Sequence, residues 1–363
     1  MTAHFLIAGK PHPQIQSGLD EAGALTHVLP DFAKPTKGQY CWPFFWKFSE
    51  LMGRHNFRVA AFHFCNEIPV VLAVTAARLR MRSPPTRFIW HQHSQIEPPG
   101  RRPARYVSRL RAVSLAVDGV CTVYRQAGLV VKARGIPARK VHTIYNGVDS
   151  MPVSASQIHA KREELGVPPG AQMLFSASSL IPRKNLTMML LGFAAARPKV
   201  GDLRLVIAGD GAQALELRAC AEALGLTGYV QFLGQRSDVR ELIAASDACL
   251  LTADSEALPF FCLEAFAQGR VLISTPAGGV PEIIADGENG LLVPFNDPQG
   301  LSAALCRVFT DGALRTRLET TAQESFRRSF SLDAMVENYF RYYFGVTVEE
   351  AAIADSAVVA ARA

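Results

Sequence analysis

The run from Ala248 to Val293 leaves this chain few ways to fold. Short apolar runs at 248–251 and 271–274 bracket a segment of helical length, and Gly269, Gly278, Gly279, Gly287 and Gly290 fall where the chain has to turn. Pro259 suits a helix's first turn because it has no N–H to lose, and Gly269 suits the end, where a left-handed residue is commonly needed. The run therefore reads as strand 248–251, acidic loop 253–257, helix 259–268, strand 271–274, glycine loop, short helix and strand 291–293. A βαβαβ unit of this kind belongs to a parallel sheet, and ligands of open parallel sheets bind outside the carboxyl ends of the strands. Glu256 and Glu264 would flank that edge. An ionised carboxylate accepts through two oxygens and suits the paired hydroxyls of a ribose or sugar ring, while the free N–H groups of the helix N-terminus favour phosphate.

Composition permits this without requiring it. A length of 363 residues with 49% apolar and 19% charged content is enough for two ordinary cores. No basic segment precedes an apolar run at the N-terminus, and the stretch 68–77 is too short to span a bilayer, so a soluble, cytoplasmic protein is expected. Seven scattered cysteines without a Cys-x-x-Cys pair argue for reduced core thiols rather than a disulfide framework or zinc knuckle. Charge is uneven: residues 1–150 hold 20 Lys and Arg against 8 Asp and Glu, and the remainder 18 against 24. The arginines at 78, 80, 82, 87, 101, 102, 105, 109 and 111 would suit an anionic membrane surface or a solvated face; no nucleic-acid module accompanies them.

The glutamate and glycine stretch resembles the signature of glycosyltransferase family 4, the retaining enzymes of the GT-B fold. The resemblance extends upstream through Phe175-Ser-Ala-Ser-Ser-Leu-Ile-Pro-Arg-Lys-Asn185, Leu205-Val-Ile-Ala-Gly-Asp-Gly211 and Val230-Gln-Phe-Leu-Gly-Gln235. With Val141-His-Thr-Ile-Tyr-Asn-Gly-Val-Asp149 it covers about residues 140–345 in the family's order. It implies an α/β protein of two Rossmann-like, doubly wound domains facing across a cleft. Residues 1–155 would form the basic, acceptor-side domain, rejoined by a C-terminal helix at about 331–348. Residues 156–330 would form the nucleotide-sugar domain, and 349–363 a disordered tail.

Glycosyl transfer passes through an oxocarbenium-like transition state while the nucleotide diphosphate leaves with growing negative charge, so cations and N–H groups belong around that phosphate. By resemblance Lys184 and Arg183 lie over the diphosphate, and Ser178 or Ser179 stands where the family often has an arginine. Gly209 begins the turn of the next strand, Glu264 holds the ribose and Glu256 lies near the donor sugar. The backbone from Leu258 through Pro259 and Phe260 to Phe261 contacts sugar and phosphate. Ala257-Leu258 replaces the family's common Gly-Phe or Gly-Tyr. The family's Gly-Gly loop after the first strand is replaced by Gly9-Lys10-Pro11-His12-Pro13: either Lys10 substitutes a charge for backbone donors, or this end of the site is altered or inactive. The Gly209-Asp210-Gly211 turn lacks the remainder of a dinucleotide fingerprint, which argues against a dehydrogenase.

In the first domain the sequence reads as strand 4–8, helix 17–23, strand 26–29, an aromatic segment 40–48, strand 59–64, helix 69–79 and strand 88–91, with a linker at 150–157 before a helix at 158–165. His91 and His93 end the fourth of these strands on one face. The resemblance gives His91 an active-site role facing the donor sugar, while the residues alone also allow a hydrogen-bonded structural pair, or metal ligands with His63 or Cys65 as the third. No Asp-x-Asp motif occurs, and the resemblance implies no metal and no cofactor. The implied function is retaining transfer from a nucleotide-sugar donor to a glycan or lipid-linked acceptor, in cell-envelope or polysaccharide biosynthesis. The alternatives are a non-catalytic binding relative and an inverting transferase or epimerase of the same fold.

Overall fold

Six short apolar strands carry the second half of the chain. In the computed structural model, which describes residues 4–8, 25–29, 42–55, 57–63, 67–80, 86–93 and 104–346, they form one sheet in which every pairing is parallel. The helix expected at 17–23, the Gly9–Lys10 loop, Cys65, Arg82, Arg101, Arg102, the side chains of Arg80 and Arg105, and the tail at 349–363 lie outside the described residues.

The first domain begins with a parallel pair, β1 (His4–Ala8) and β2 (Leu25–Leu29). The aromatic segment then proves to be the start of a helix, α1 (Trp42–Arg54). β3 (Val59–Phe62), α2 (Glu67–Arg80), β4 (Arg87–Gln92), α3 (Ala104–Ala116), β5 (Gly119–Thr122), α4 (Arg125–Ala133) and β6 (Val141–Thr143) follow. The last four strands lie in the order β3-β4-β5-β6, all parallel. β5 is buried along its whole length, as a strand covered on both faces must be.

The helix expected at 158–165 starts earlier, as α5 (Ala155–Glu164). Ser154 accepts from the Gln157 N–H while the Gln157 side chain accepts from the Ser154 N–H, a reciprocal cap that converts part of the expected linker into the helix's first turn. The second domain continues with β7 (Gln172–Ala177), α6 (Leu186–Val200), β8 (Leu203–Ala208), α7 (Ala214–Ala223), β9 (Val230–Phe232), α8 (Val239–Ala245) and β10 (Ala248–Leu251). α9 (Phe260–Ala267), β11 (Val271–Ser274), α10 (Val280–Ile283), β12 (Leu291–Leu292), α11 (Pro298–Thr310) and α12 (Gly312–Ser329) complete it. The strand order is β12-β11-β10-β7-β8-β9. The chain runs outward from β7 through β8 to β9, then returns to the other side of β7 and runs outward again. Between β7 and β10 the direction of winding reverses, so the loops after these two strands part and leave a crevice.

The last helix, α13 (Leu332–Phe344), returns to the first domain. Its entry is held by Val148, whose N–H donates to the Phe330 carbonyl at 3.1 Å and whose carbonyl accepts from Leu332 at 2.9 Å. A methyl at the neighbouring Gly147 would lie 2.5 Å from the Ser331 carbonyl oxygen, so only glycine admits this approach. At the far end, Arg87 Nη1 donates to the carbonyls of Tyr342 and Tyr343, both at 3.0 Å, placing a cation on the helix's unpaired C-terminal carbonyls. Gly119 in β5 makes room for the Tyr342 hydroxyl. Among the described residues, no helix is long and apolar enough to cross a membrane.

Candidate active site

The two loops at the reversal are sewn together through backbone groups. After β7 the chain makes a 3-10 turn, Pro182–Lys184, ending at Asn185 with φ of 50°. Asn is one of few residues that tolerate this left-handed position, and its side chain also caps α6 by accepting from Met188 N–H at 3.4 Å. From the loop after β10, Asp254 N–H donates to the Arg183 carbonyl at 2.9 Å. The Thr252 hydroxyl reaches the carbonyls of Lys184 and Asn185 at 3.1 and 3.0 Å, and the Asp254 carboxylate accepts from Asn185 Nδ2 at 3.0 Å. In return, Arg183 Nη1 donates to the Ser255 carbonyl at 3.1 Å.

This stitching sets Lys184 Nζ against Glu256 Oε1 in a direct ion pair whose side chains are only 13% and 10% exposed. A pair so withdrawn from water differs from an exposed one: each charge has lost most of its hydration, and removing either partner strands the other. Arg183 remains exposed beside it. The adjoining turn is equally specific. Gly209 has φ of 133°, and a methyl there would lie 1.9 Å from the Ser178 carbonyl oxygen, so the segment carrying Ser178 and the exposed Ser179 rests directly on glycine.

Glu256 is held from the other side by the glycine loop. Gly278 adopts φ of 55°, a methyl on it would lie 1.8 Å from the Glu256 carbonyl oxygen, and Gly279 N–H donates to the Ala257 carbonyl at 2.7 Å. The following helix, α9, begins one residue later than expected: Pro259 is its N-cap in an extended conformation, not its first helical residue, and Gly269 is left-handed beyond its end. Leu258 and Phe261 are buried, whereas Phe260 is 53% exposed at the mouth. Glu264 is half-buried on α9, and among the described residues its carboxylate accepts no hydrogen bond; burial raises its pKa. Burial, then the nearby Glu256, pushes the Cys262 thiol between them well above its usual range.

Glu282 lies on α10, within the same glycine-rich stretch. Its carboxylate accepts from the Arg125 and Gln126 N–H groups at 2.7 and 2.9 Å and from the Tyr145 hydroxyl at 3.0 Å. It therefore caps α4 of the first domain from the second domain, in a place where the N-cap Tyr124 supplies no side-chain cap. Asn146 Nδ2 adds a bond to the Leu258 carbonyl at 3.3 Å, and Gly279 lies against Tyr124. The loop carrying Glu256 and the first domain are thus joined by a polar clasp. Burial, then Glu282, raises the Tyr145 phenol to about 12, so it stays a donor.

His91 lies at the end of β4 in the first domain. It is 1% exposed, its Nε2 is 2.6 Å from the Tyr343 hydroxyl of α13, and it neighbours His63 and His93. Two of the basic residues are occupied within the protein: Arg78 pairs with Asp118 at 3.1 Å and Arg87 binds α13, while Arg109 and Arg111 are exposed. Cys121, Cys249 and Cys262 are free and buried.

Two substitutions test this geometry. Glu282→Ala should cost about 1–2 kcal/mol in chemical denaturation, the range of a lost helix cap, and should enlarge the radius of gyration in solution scattering; unchanged values for both would remove the clasp. For Glu264, a folded-state pKa raised above the unfolded one means that ionisation opposes folding, so stability declines as pH rises through the folded value. Glu264→Gln should therefore melt with wild type near pH 4 and above it at pH 7, by less than about 1 kcal/mol given solvent screening. A lower melting temperature at pH 7 would contradict that sign.

The family model described as "Glycosyl transferases group 1" matches residues 157–325, and that described as "Glycosyltransferase Family 4" matches residues 6–150. The chain is 27% identical over 267 residues to the lipopolysaccharide core biosynthesis glycosyltransferase LpsE of Rhizobium meliloti (strain 1021), covering 72% of this chain and 76% of that one. It is 28% identical over 210 residues to the N-acetyl-alpha-D-glucosaminyl L-malate synthase of Bacillus anthracis, covering 58% and 55%. Among solved structures, Anabaena Alr3699/HepE in complex with UDP superposes with a TM-score of 0.79 at 20% identity, over 95% of this chain and 100% of that one. A glycosyltransferase from Rickettsia africae ESF-5 superposes with a TM-score of 0.76 at 15% identity, over 94% and 97%. With both domains matched in sequence and the whole described architecture matched in three dimensions, the chain belongs to glycosyltransferase family 4 and has the GT-B fold.

Proposed function

We propose that this glycosyltransferase moves a sugar from a nucleoside diphosphate donor to a glycan or lipid-linked acceptor with retention of anomeric configuration, in the building of cell-envelope lipopolysaccharide, glycolipid or polysaccharide. The observation that carries the reading is the withdrawn Lys184–Glu256 pair at the reversal of the second sheet, with Arg183 beside it. The pair is locally neutral yet holds a cation ready. A donor diphosphate brings the negative charge that Lys184 and Arg183 require, and releases the Glu256 carboxylate toward hydroxyls of the donor sugar. As the bond from the anomeric carbon to phosphate oxygen breaks, charge grows on that oxygen, where the two cations and the N-terminus of α9 stabilise it. Either attack and departure share one face of the sugar or a covalent intermediate forms; both outcomes retain configuration. Glu264 is assigned to the ribose, an exchange of buried, unpaired carboxylate for hydrogen-bonded carboxylate that favours binding. Ser179, Gly209 and the Leu258–Phe261 backbone are assigned to the walls of the same pocket.

LpsE bears a lipopolysaccharide core name, which supports the acceptor class. HepE was solved with UDP-glucose, which makes uridine diphosphate sugars the first donors to try. Thermal stabilisation across a panel of nucleotide sugars should single out one donor, with a shift equivalent to about 2.7 kcal/mol at 100 times its dissociation constant. Lys184→Ala and Glu264→Ala should each abolish the shift, and anomeric analysis of product should report retention. An inverted product would replace the retaining reading with the inverting one, and binding without transfer would favour a non-catalytic relative.

The exposed Arg109 and Arg111 suit contact with an anionic membrane that would hold a lipid-linked acceptor. Flotation with anionic liposomes should recover the protein at low salt and lose it at high salt. Absence from the lipid fraction at low salt would leave the protein in solution.

A further inference from the structure

We propose that His63, His91 and His93 form a binding site for a divalent transition-metal ion of the zinc type, set between the first domain's sheet and α13. The trio is built by sheet register. β3 and β4 are parallel with Phe62 opposite Trp90, so the next residue of one strand, His63, lies beside the next of the other, His91; His93 follows two residues on, on the same face. One ring nitrogen from each of the three lies within 4.8 Å of those of the other two. His63 Nδ1 and His93 Nε2 are hydrogen-bonded at 3.0 Å; two nitrogens on a tetrahedral zinc with Zn–N of about 2.0–2.1 Å are about 3.3 Å apart, so an ion would take the place of the shared proton with little movement.

The second observation is at His91. Its Nδ1 is buried and has no hydrogen-bond partner, while Nε2 is 2.6 Å from the Tyr343 hydroxyl. With the proton on Nε2 and donated to Tyr343, Nδ1 keeps a lone pair in the ring plane that is available to an ion. A ligating histidine characteristically has its other nitrogen tied in this way, which fixes tautomer and ring orientation. A buried polar atom left unpaired keeps an uncompensated desolvation cost, and a metal ion would satisfy this one. Three neutral imidazoles with no nearby carboxylate in the trio select zinc-like ions over magnesium or calcium. The His63 ring now stacks on His91, with centroids 4.0 Å apart and planes at 11°. It is the most exposed of the three, so it is the ring that turns to bring its lone pair to the shared point.

The test of this site does not depend on transfer activity. The full chain, stripped with chelator, would be titrated with Zn2+ by calorimetry and with Co2+ by visible absorption. One equivalent should bind, and Co2+ should give the intense bands of a four-coordinate nitrogen site. His63→Ala and His93→Ala should each weaken binding at least tenfold while retaining the wild-type circular dichroism. Tyr343→Phe, which leaves all three ligands in place, should weaken it about 10- to 100-fold. His159→Ala, on the exposed face of α5, should leave it unchanged. Binding well below one equivalent, or binding as tight in both His63→Ala and His93→Ala as in wild type, overturns the proposal.

Discussion

The Lys184–Glu256 pair draws its significance from the backbone that holds it. Neither side chain is positioned by charge alone, because an ion pair withdrawn from water gains little over the hydration it gives up. The bonds from Asp254 to Arg183, from Thr252 to Lys184 or Asn185, and from Arg183 to Ser255 fix the two loops first. The two charges then meet as a direct pair. Under the proposed function, a donor diphosphate would meet cations whose loops are already fixed, and the Lys184–Glu256 contact is the one that has to open.

The glycines extend this logic outward. Gly209 lets the Ser178 carbonyl rest on the next strand's turn, and Gly278 lets the Glu256 carbonyl rest on the following loop. At both positions a side chain would overlap backbone, which cannot yield as a flexible side chain can. The glycine loop then hands its constraint to the first domain through Glu282, whose carboxylate satisfies two helix N–H groups and a tyrosine hydroxyl. This clasp is polar and solvent-facing in part, unlike the packing of either core. Such a joint suits a cleft that opens for its substrates and closes for reaction.

α13 ties the two ends of the chain together by another route. It leaves the second domain beside Gly147, accepts Arg87 on its last carbonyls and brings Tyr343 to His91. Arg87 and Arg78 were readable in the sequence only as part of a basic run, yet each has a specific internal partner. Composition counts charges but cannot tell a solvated arginine from one that caps a helix 255 residues away in sequence.

The sequence by itself determined the second domain's elements closely, because apolar runs of strand length, glycine turns and a proline at a helix start are local features with local causes. It also placed Lys184 and Glu256 at the correct strand ends. It placed α5 late by passing over the Ser154–Gln157 cap, itself a local signal, and it left the aromatic stretch at the start of α1 unassigned. What only the tertiary structure decided was which distant groups meet: Lys184 with Glu256, and Glu282 with α4. Sheet order and register set those meetings. Register depends on which strands become neighbours, and that is decided by burying two faces of a sheet at once, a property of the whole domain that no window of sequence contains.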